Sequence, residues 1–430
     1  MFLERNILRN SNCRDNMGWN RKTDYKWIML LLVSAAYFLA QGTRQIYSAV
    51  LPQIKTDFAA QGITDAQLGM IGSAFTLVFG LVIPFAGIFA DMFRRKWILV
   101  TGCILFSSGI FFSGFAQNLG MLLISYGILN AVGQSLMPPC NSSLIGQLHT
   151  ETRGTAFSIY QSAIYLGIIV CSIGSGFFAS MGPDGWRKAF LIFGAIAAVW
   201  TFVMIFFLKD TPQPKSESNE DKASIREALM AFATKPTALI LMAALGCYFF
   251  ATYGFKTWVP MFMMRAFPDM PTTSAVFHAV FWFYIGAFAG VTVAGRISDK
   301  LKPLRSGVRF EVELVGILMC VPFILLMAWA QSLPLMILAV SMFGFATGVY
   351  DSNLYASLLE VINPRYRAAA TGIFGCGGCI VGAFGPAVMG MLNDALSIRA
   401  SFASLSIFAL MGAVLIAFAR FRTFKKDRVD

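Results

Sequence analysis

Two cations stand inside otherwise apolar runs of this 430-residue sequence: Arg44, in Gly42-Thr-Arg44, and Lys256, in Gly254-Phe-Lys256. If such runs cross a bilayer, each charge costs at least a few kcal/mol, and an ionisable residue at that depth marks a pathway or a binding site by default. Arg44 lies 17 residues past Trp27 and Lys256 lies 18 past Ala238, so the two sit at matching depth. An arginine fork and a lysine point charge converging on one space make a site for a carboxylate or a phosphate. The competing reading pairs each cation with a buried structural acid or places it at the outer interface; no acid stands nearby in the same runs. The strongest buried acid is Asp351, in Gly348-Val-Tyr350-Asp351-Ser352-Asn353. Either it titrates or binds sodium, or it is the structural partner of a buried cation.

Residues three or four positions from a cation share its helical face. Around Arg44 and one turn beyond, these are Tyr37, Gln41, Tyr47 and Ser48; around Lys256, Thr252 and Tyr253. A polar stripe of Asn130, Gln134 and Asn141, and a stretch with Tyr160, Gln161 and Tyr165, add amides and aromatic hydroxyls. Such groups bond sugar hydroxyls and stack on ring faces, so Asn130, Gln134, Tyr160 and Gln161 join the candidate substrate-binding set. Polar residues in a membrane also tie neighbouring helices together. Asp351 and Asn353 form the candidate coupling-cation site. Gly375-Cys-Gly-Gly-Cys379 contains a C-x-x-C, which among so many small neighbours reads as close helix packing rather than a metal or redox centre. There is no P-loop, zinc motif or G-x-S-x-G elbow, so no cofactor, metal or catalytic residue is expected and the chain is not read as an enzyme.

The elements that position these residues follow from composition. The chain is 57% hydrophobic and 13% charged, with a mean hydropathy of +0.66. A soluble domain carries about a quarter of its residues as Asp, Glu, Lys and Arg. The excess apolar surface exceeds what one soluble core can hide, which excludes a secreted disulfide scaffold, a nucleic-acid-binding domain and a disordered tail protein. At about 20 apolar residues per span, twelve helices are expected near 26–50, 66–90, 97–116, 121–147, 155–179, 188–208, 237–263, 274–297, 311–331, 334–359, 367–392 and 400–421. Residues 1–24 read as an N-terminal tail, 25–208 as one six-helix bundle, 209–236 as a polar linker, 237–421 as a second bundle and 422–430 as a C-terminal tail. With both tails cytoplasmic, 27 of the 34 Lys and Arg fall on the cytoplasmic side and five on the other, Arg44 and Lys256 being the two within spans. That bias sets orientation and accounts for the net charge of +12 without a nucleic-acid partner.

The two bundles repeat their landmarks. Gly87-Ile-Phe-Ala-Asp91 followed by Arg94-Arg95-Lys96 returns as Gly295-Arg-Ile-Ser-Asp299-Lys300, an offset of 208 residues between the aspartates; Arg44 and Lys256 differ by 212, and Arg153 and Arg367 by 214. A parallel duplication of six helices, with a site where the halves meet, is a secondary-transporter architecture. On these motifs the chain resembles the major facilitator superfamily, over about residues 25–421. The outer-half Arg44, the matching Lys256, Pro138-Pro139-Cys140 and Gly185-Trp186-Arg187 resemble the branch holding organophosphate/phosphate antiporters and anion–cation symporters for hexuronates and sialate.

The resemblance implies an all-α membrane protein of two pseudo-symmetric six-helix bundles around a cavity that opens alternately to each side. It implies a monomeric secondary transporter of a small organic anion, such as a hexuronate or sialate, coupled to H+ or Na+, surrounded by membrane lipids and placed in a bacterial inner membrane. Asp91, Arg95 and Lys96, with Asp299 and Lys300, would be gating residues that hold the outward-facing state through charge contacts between the halves. Exchange of organophosphate for phosphate is the alternative. A membrane enzyme would need a cluster of acids, His or Cys at a helix end, and a non-transporting receptor an additional soluble domain; the sequence supplies neither.

Overall fold

The computed structural model describes residues 21–209 and 225–428. Most of the expected N-terminal tail, most of the linker, and the side chain of Asp91 lie outside the described residues. Among the described residues twelve helices are long and apolar enough to cross a membrane: α1 (Tyr25–Asp57), α2 (Asp65–Ala90), α3 (Arg95–Ser113), α4 (Leu119–Leu148), α5 (Arg153–Ala179), α6 (Gly185–Phe207), α7 (Pro236–Ala266), α8 (Thr272–Leu301), α9 (Val308–Trp329), α10 (Leu333–Leu358), α11 (Ala369–Ala395) and α12 (Ile398–Asp427). A short helix, Ile225–Ala233, precedes α7. All twelve expected spans are present, α1 running seven residues past its expected end. An even number of crossings puts both ends of the described chain on one face, called here the termini face; the opposite side is the far face.

Lipid tails are as apolar as leucine, so helices associate through close packing of small residues. Gly344 of α10 lies against the Phe283 carbonyl of α8, and Gly290 of α8 against the Phe345 carbonyl of α10, with no room at either for a Cβ. On the periphery Val199, Phe202, Phe206 and Val414 are 62–66% exposed, the surface a hydrocarbon solvent requires. No disulfide forms among the described residues, and Cys376 and Cys379 are both thiols.

Four spans are broken. Within α4 the helix stops at Ser135 and restarts at Met137, where Pro138 and Pro139 offer no N–H to the Gln134 and Ser135 carbonyls. The first segment of α1 ends at Arg44 and the next starts at Ile46; α10 breaks after Asp351 and resumes at Leu354; α11 breaks at Ala383. Pro386, lacking an N–H for the Gly382 carbonyl, explains the last. Side chains account for the other two. The Arg44 carbonyl, which the Ser48 amide would use in a regular helix, accepts from the Tyr126 hydroxyl of α4 at 2.6 Å, and the Gln45 amide turns back to the Gly42 carbonyl at 3.0 Å. The Val349 carbonyl, in the same relation to Asn353, accepts from Ser352 Oγ at 2.7 Å. Side chains inserted into the i→i−4 ladder are a recognised cause of such kinks.

Candidate functional site

The break in α1 opens onto a cavity of about 210 Å³ between the two bundles, lined from α1, α2, α4, α5, α7 and α8. Arg44 and Lys256 both line it. The Arg44 guanidinium lies 4.6 Å from the Phe75 ring centroid, 5.2 Å from Phe79 and 5.4 Å from Tyr253. The Lys256 ammonium lies 5.6 Å from Phe283 and 6.0 Å from each of Tyr253 and Tyr284. The two cations thus flank one ring, that of Tyr253. Aromatic faces stabilise a desolvated cation by about 0.5–2 kcal/mol without neutralising it. Among the described residues neither cation has a carboxylate within 4.0 Å.

Asp351 is the acid in electrostatic range of Lys256, and it stands beside the Tyr248 hydroxyl. Its side chain is exposed, so water reaches it. Two cations against one carboxylate leave the centre with an excess positive charge, and a small anion fits that excess.

The remaining expected residues divide. Gln41, Tyr47, Ser48 and Tyr253 line the cavity with the cations. Two of their hydroxyls are committed elsewhere: Tyr47 donates to the Leu68 carbonyl at 2.7 Å, and Ser48 to the carbonyls of Lys256 (2.6 Å) and Thr257 (2.9 Å). Tyr37 and Tyr160 stack at 5.1 Å, and Tyr160 accepts from Asn141 at 3.0 Å; both lie outside the lining, as does Gln161, which is exposed. Thr252 is buried and donates to its own helix at the Tyr248 carbonyl. Asn130 and Gln134 are fully buried and bonded to each other at 3.0 Å, Gln134 reaching α1 rather than the cavity. Asn353 is buried too, accepting from Ser298 Oγ of α8 at 2.7 Å and donating to Ser352.

The cavity also takes residues outside the expected set. Gln45 lines it and donates to the Tyr284 hydroxyl at 3.3 Å; Tyr126 donates to the Arg44 carbonyl at 2.6 Å; Thr76, Thr257 and Phe75 add to the wall, where they meet Tyr165, one of the hydroxyls the sequence singled out. Gln45 follows Arg44 directly, so an unbroken helix would carry it to another face. The break is what brings it in. Tyr284 lies in an almost wholly apolar run, Phe281-Trp-Phe-Tyr284, with no polar stripe to signal it.

The hydrogen bonds that join the halves through Gln45, Ser48, Asp65, Ser73 and Gly176 lie at the depth of the cations or beyond, toward the far face. Asp65 Oδ2 accepts from Arg265 at 2.9 Å, and Asp65 also pairs with Lys55 at 2.5 Å. Asp394 of α11 accepts from the Asp65 and Ala66 amides at 3.0 and 2.8 Å, capping α2. Thr273 bonds the Gly176 carbonyl, and the Ala387 amide bonds Ser73. The far face is therefore latched. At the termini face Asp299 and Lys300 are exposed, Lys96 lies 5.5 Å from its neighbour Trp97, and Arg95 is buried within its own half; none of these bonds across the halves among the described residues.

The family model described as Major Facilitator Superfamily matches residues 33–311 and 273–430. The chain is 22% identical over 404 residues to the chloroplastic ascorbate transporter of Arabidopsis thaliana, covering 90% of this chain and 73% of that one. It is 23% identical over 382 residues to the probable sulfoacetate transporter SauU of Cupriavidus necator, covering 85% and 87% respectively. Among solved structures, a bacterial homologue of the human lysosomal transporter Spinster, inward-facing and unoccupied, superposes with a TM-score of 0.82 at 22% identity, over 94% of this chain and 99% of that one.

Proposed function

The chain belongs to the Major Facilitator Superfamily, and from that premise we propose that it is a secondary active transporter of a small organic anion, working by alternating access. One observation carries the reading: Arg44 and Lys256 share a cavity between the halves, flank the Tyr253 ring, and have no carboxylate within 4.0 Å among the described residues. The printed substrates of two relatives, ascorbate and sulfoacetate, are acids and support an anionic cargo. A cavity of about 210 Å³ corresponds to the liquid volume of about seven water molecules, which suits a sugar acid of one ring or a smaller anion. The polar wall from Gln41, Gln45, Thr76, Tyr165 and Tyr284 supplies partners for its hydroxyls.

Anion uptake against an inside-negative potential costs about 2.3 kcal/mol per charge per 100 mV. A cation must enter with the substrate or an anion must leave in exchange. Asp351 is assigned the coupling cation, H+ or Na+, because it is an exposed carboxylate at the break of α10, and unwound backbone in transporters supplies carbonyls for such ions. Asn353, bonded to α8 and Ser352, holds that break in place. With the Lys and Arg bias orienting the termini face to the cytoplasm of a bacterial inner membrane, the latched far face is the outer one. Asp91, Arg95, Lys96, Asp299 and Lys300 would pair across the halves only when the cytoplasmic side closes. The unit of transport is one chain.

Two cations in one cavity also suit a dianion, which favours organophosphate/phosphate exchange as the second reading. Uptake of labelled sugar acids and sugar phosphates into proteoliposomes, with an imposed H+ or Na+ gradient or with internal phosphate, tests both. Accumulation of a carboxylate driven by the cation gradient supports symport, accumulation driven only by internal phosphate supports exchange, and failure of every anion to accumulate refutes the anion site.

A further inference from the structure

A second charged cavity, of about 470 Å³, opens on the termini face of the C-terminal half, away from the central one. Four segments build it: the α8–α9 connection, the start of α9, the α10–α11 connection and the end of α12. Five cations line it, Lys302, Arg305, Arg309, Arg367 and Arg428, against a single carboxylate, Glu360. That carboxylate is spoken for. It pairs with Arg309 at 3.3 Å, and Arg309 Nη1 also donates to the Ala356 carbonyl at 3.2 Å while its buried Nε has no hydrogen-bond partner. Arg305 shares Glu311 with Arg420, at 3.3 and 2.9 Å. Among the described residues neither Lys302 nor Arg367 has a carboxylate within 4.0 Å, so a positive excess stands there.

Two further features tell what would cancel it. Helix α9 begins at the cavity, with Gly307 as its cap at φ 80° and no side chain capping the first amides. A helix N-terminus of this kind favours an anion. Beside the cations Leu304 stands 82% exposed at the tip of the connection, and Phe424 forms part of the wall. Forked guanidiniums, free helix amides and an exposed leucine at the membrane surface match a phosphate group carried on an apolar body. Basic pockets between spans on the cytoplasmic side bind phospholipid headgroups elsewhere by the same chemistry.

We propose that this cavity is a phosphate-binding site, separate from the transport pathway, whose ligand is the headgroup phosphate of an anionic lipid or a free phosphate. It touches Leu359 and Glu360, immediately after the inner segment of α10, so an occupant braces the span whose break carries Asp351.

The test uses the full chain in detergent, with the melting temperature followed against dioctanoyl phosphatidylglycerol, dioctanoyl phosphatidylcholine and inorganic phosphate. A ligand of the folded state raises it saturably. Phosphatidylglycerol is expected to do so, phosphatidylcholine much less. In Lys302→Gln/Arg367→Gln the half-saturating concentration should rise about tenfold or more, the loss of one or two charge-assisted bonds. Lys302→Gln alone, at an exposed position, gives the same reading should the pair not fold. Lys256→Gln should leave the effect unchanged. Stabilisation by inorganic phosphate equal to that by the lipid, with the same variant pattern, assigns the site to a soluble phosphate. No saturable rise with any of the three, or a rise undiminished in the Lys302 variants, overturns the proposal.

Discussion

Arg44 and Asp351 occupy the same local setting in two different helices. Each is the last residue before a break, and at each break a side chain takes a carbonyl that the helix would have used: that of Arg44 by Tyr126 of α4 at 2.6 Å, that of Val349 by Ser352 at 2.7 Å. A helix end carries about half a negative charge, so Arg44 gains a favourable field where its segment stops. Tyr126 of α4 thus acts on the cavity through the backbone of α1.

Tyr126→Phe follows from that relationship. The Tyr126 ring packs on Tyr47 and Phe75, and its hydroxyl donates to the Arg44 carbonyl, so phenylalanine keeps the ring and removes the donor. Stability should fall by only about 1 kcal/mol. Without that donor, α1 should regularise and swing Gln45 out of the cavity. Transport should fall at least tenfold. A variant that melts early and transports normally would show that Tyr126 only ties helices together.

The two cations predict a graded loss. Lys256→Gln removes one charge-assisted contact worth about 1.5–3 kcal/mol, which is about ten- to a hundredfold in substrate Kd. Arg44→Lys keeps the charge but loses the planar fork and its stacking on Phe75 and Tyr253, and should cost about as much. Titration calorimetry with the stabilising anion measures both. An unchanged Kd in Lys256→Gln would assign the lysine a structural role.

The sequence made the fold legible because the bilayer demands a long apolar run for every crossing, and twelve runs stand out. It also made the two cations legible, since nothing else in their runs competes with a charge. Side-chain direction near the breaks was less legible. The three-and-four spacing assumes a continuous helix, so it pointed to Gln41 and Tyr253, which line the cavity, passed over Gln45, which lines it too, and took in Asn130 and Gln134, which lie buried between helices outside the lining. Thr252 illustrates a second limit: a hydroxyl on the right face can spend its bond on its own backbone.

Asp351→Asn separates coupling from translocation. The substitution keeps the side chain's size and its place beside Tyr248 but removes the charge opposite Lys256. Under symport, accumulation driven by an H+ or Na+ gradient should disappear, whereas exchange of labelled for unlabelled substrate should continue at a comparable rate. Under organophosphate/phosphate exchange, transport should survive intact. Counterflow and gradient-driven uptake in one liposome preparation distinguish the two. Loss of both activities with an unchanged melting temperature would mean that Asp351 also shapes the substrate site.

The far-face latch sets the last expectation. Asp65 is 2% exposed at its side chain and holds Arg265 across the halves at 2.9 Å and Lys55 at 2.5 Å, while Asp394 caps the helix that Asp65 begins. Opening that face must part Asp65 from Arg265 and the Asp65 and Ala66 amides from Asp394 together, and the two costs couple because they lie at one helix end. Asp65→Asn removes the ion pair but leaves the cap, and should shift the balance toward far-face opening by about 1–2 kcal/mol, or about five- to thirtyfold. Asp394→Ala removes the acceptor of the Asp65 and Ala66 amides while the Thr64–Gln67 capping box stays in place, and should shift it by about 1 kcal/mol. Distances between spin labels on the far-face ends of α2 and α11 report the populations directly. A longer distance should appear in both variants and grow in the double variant; an unchanged distribution in Asp65→Asn would mean that the backbone contacts beneath, not the charges, keep this face shut.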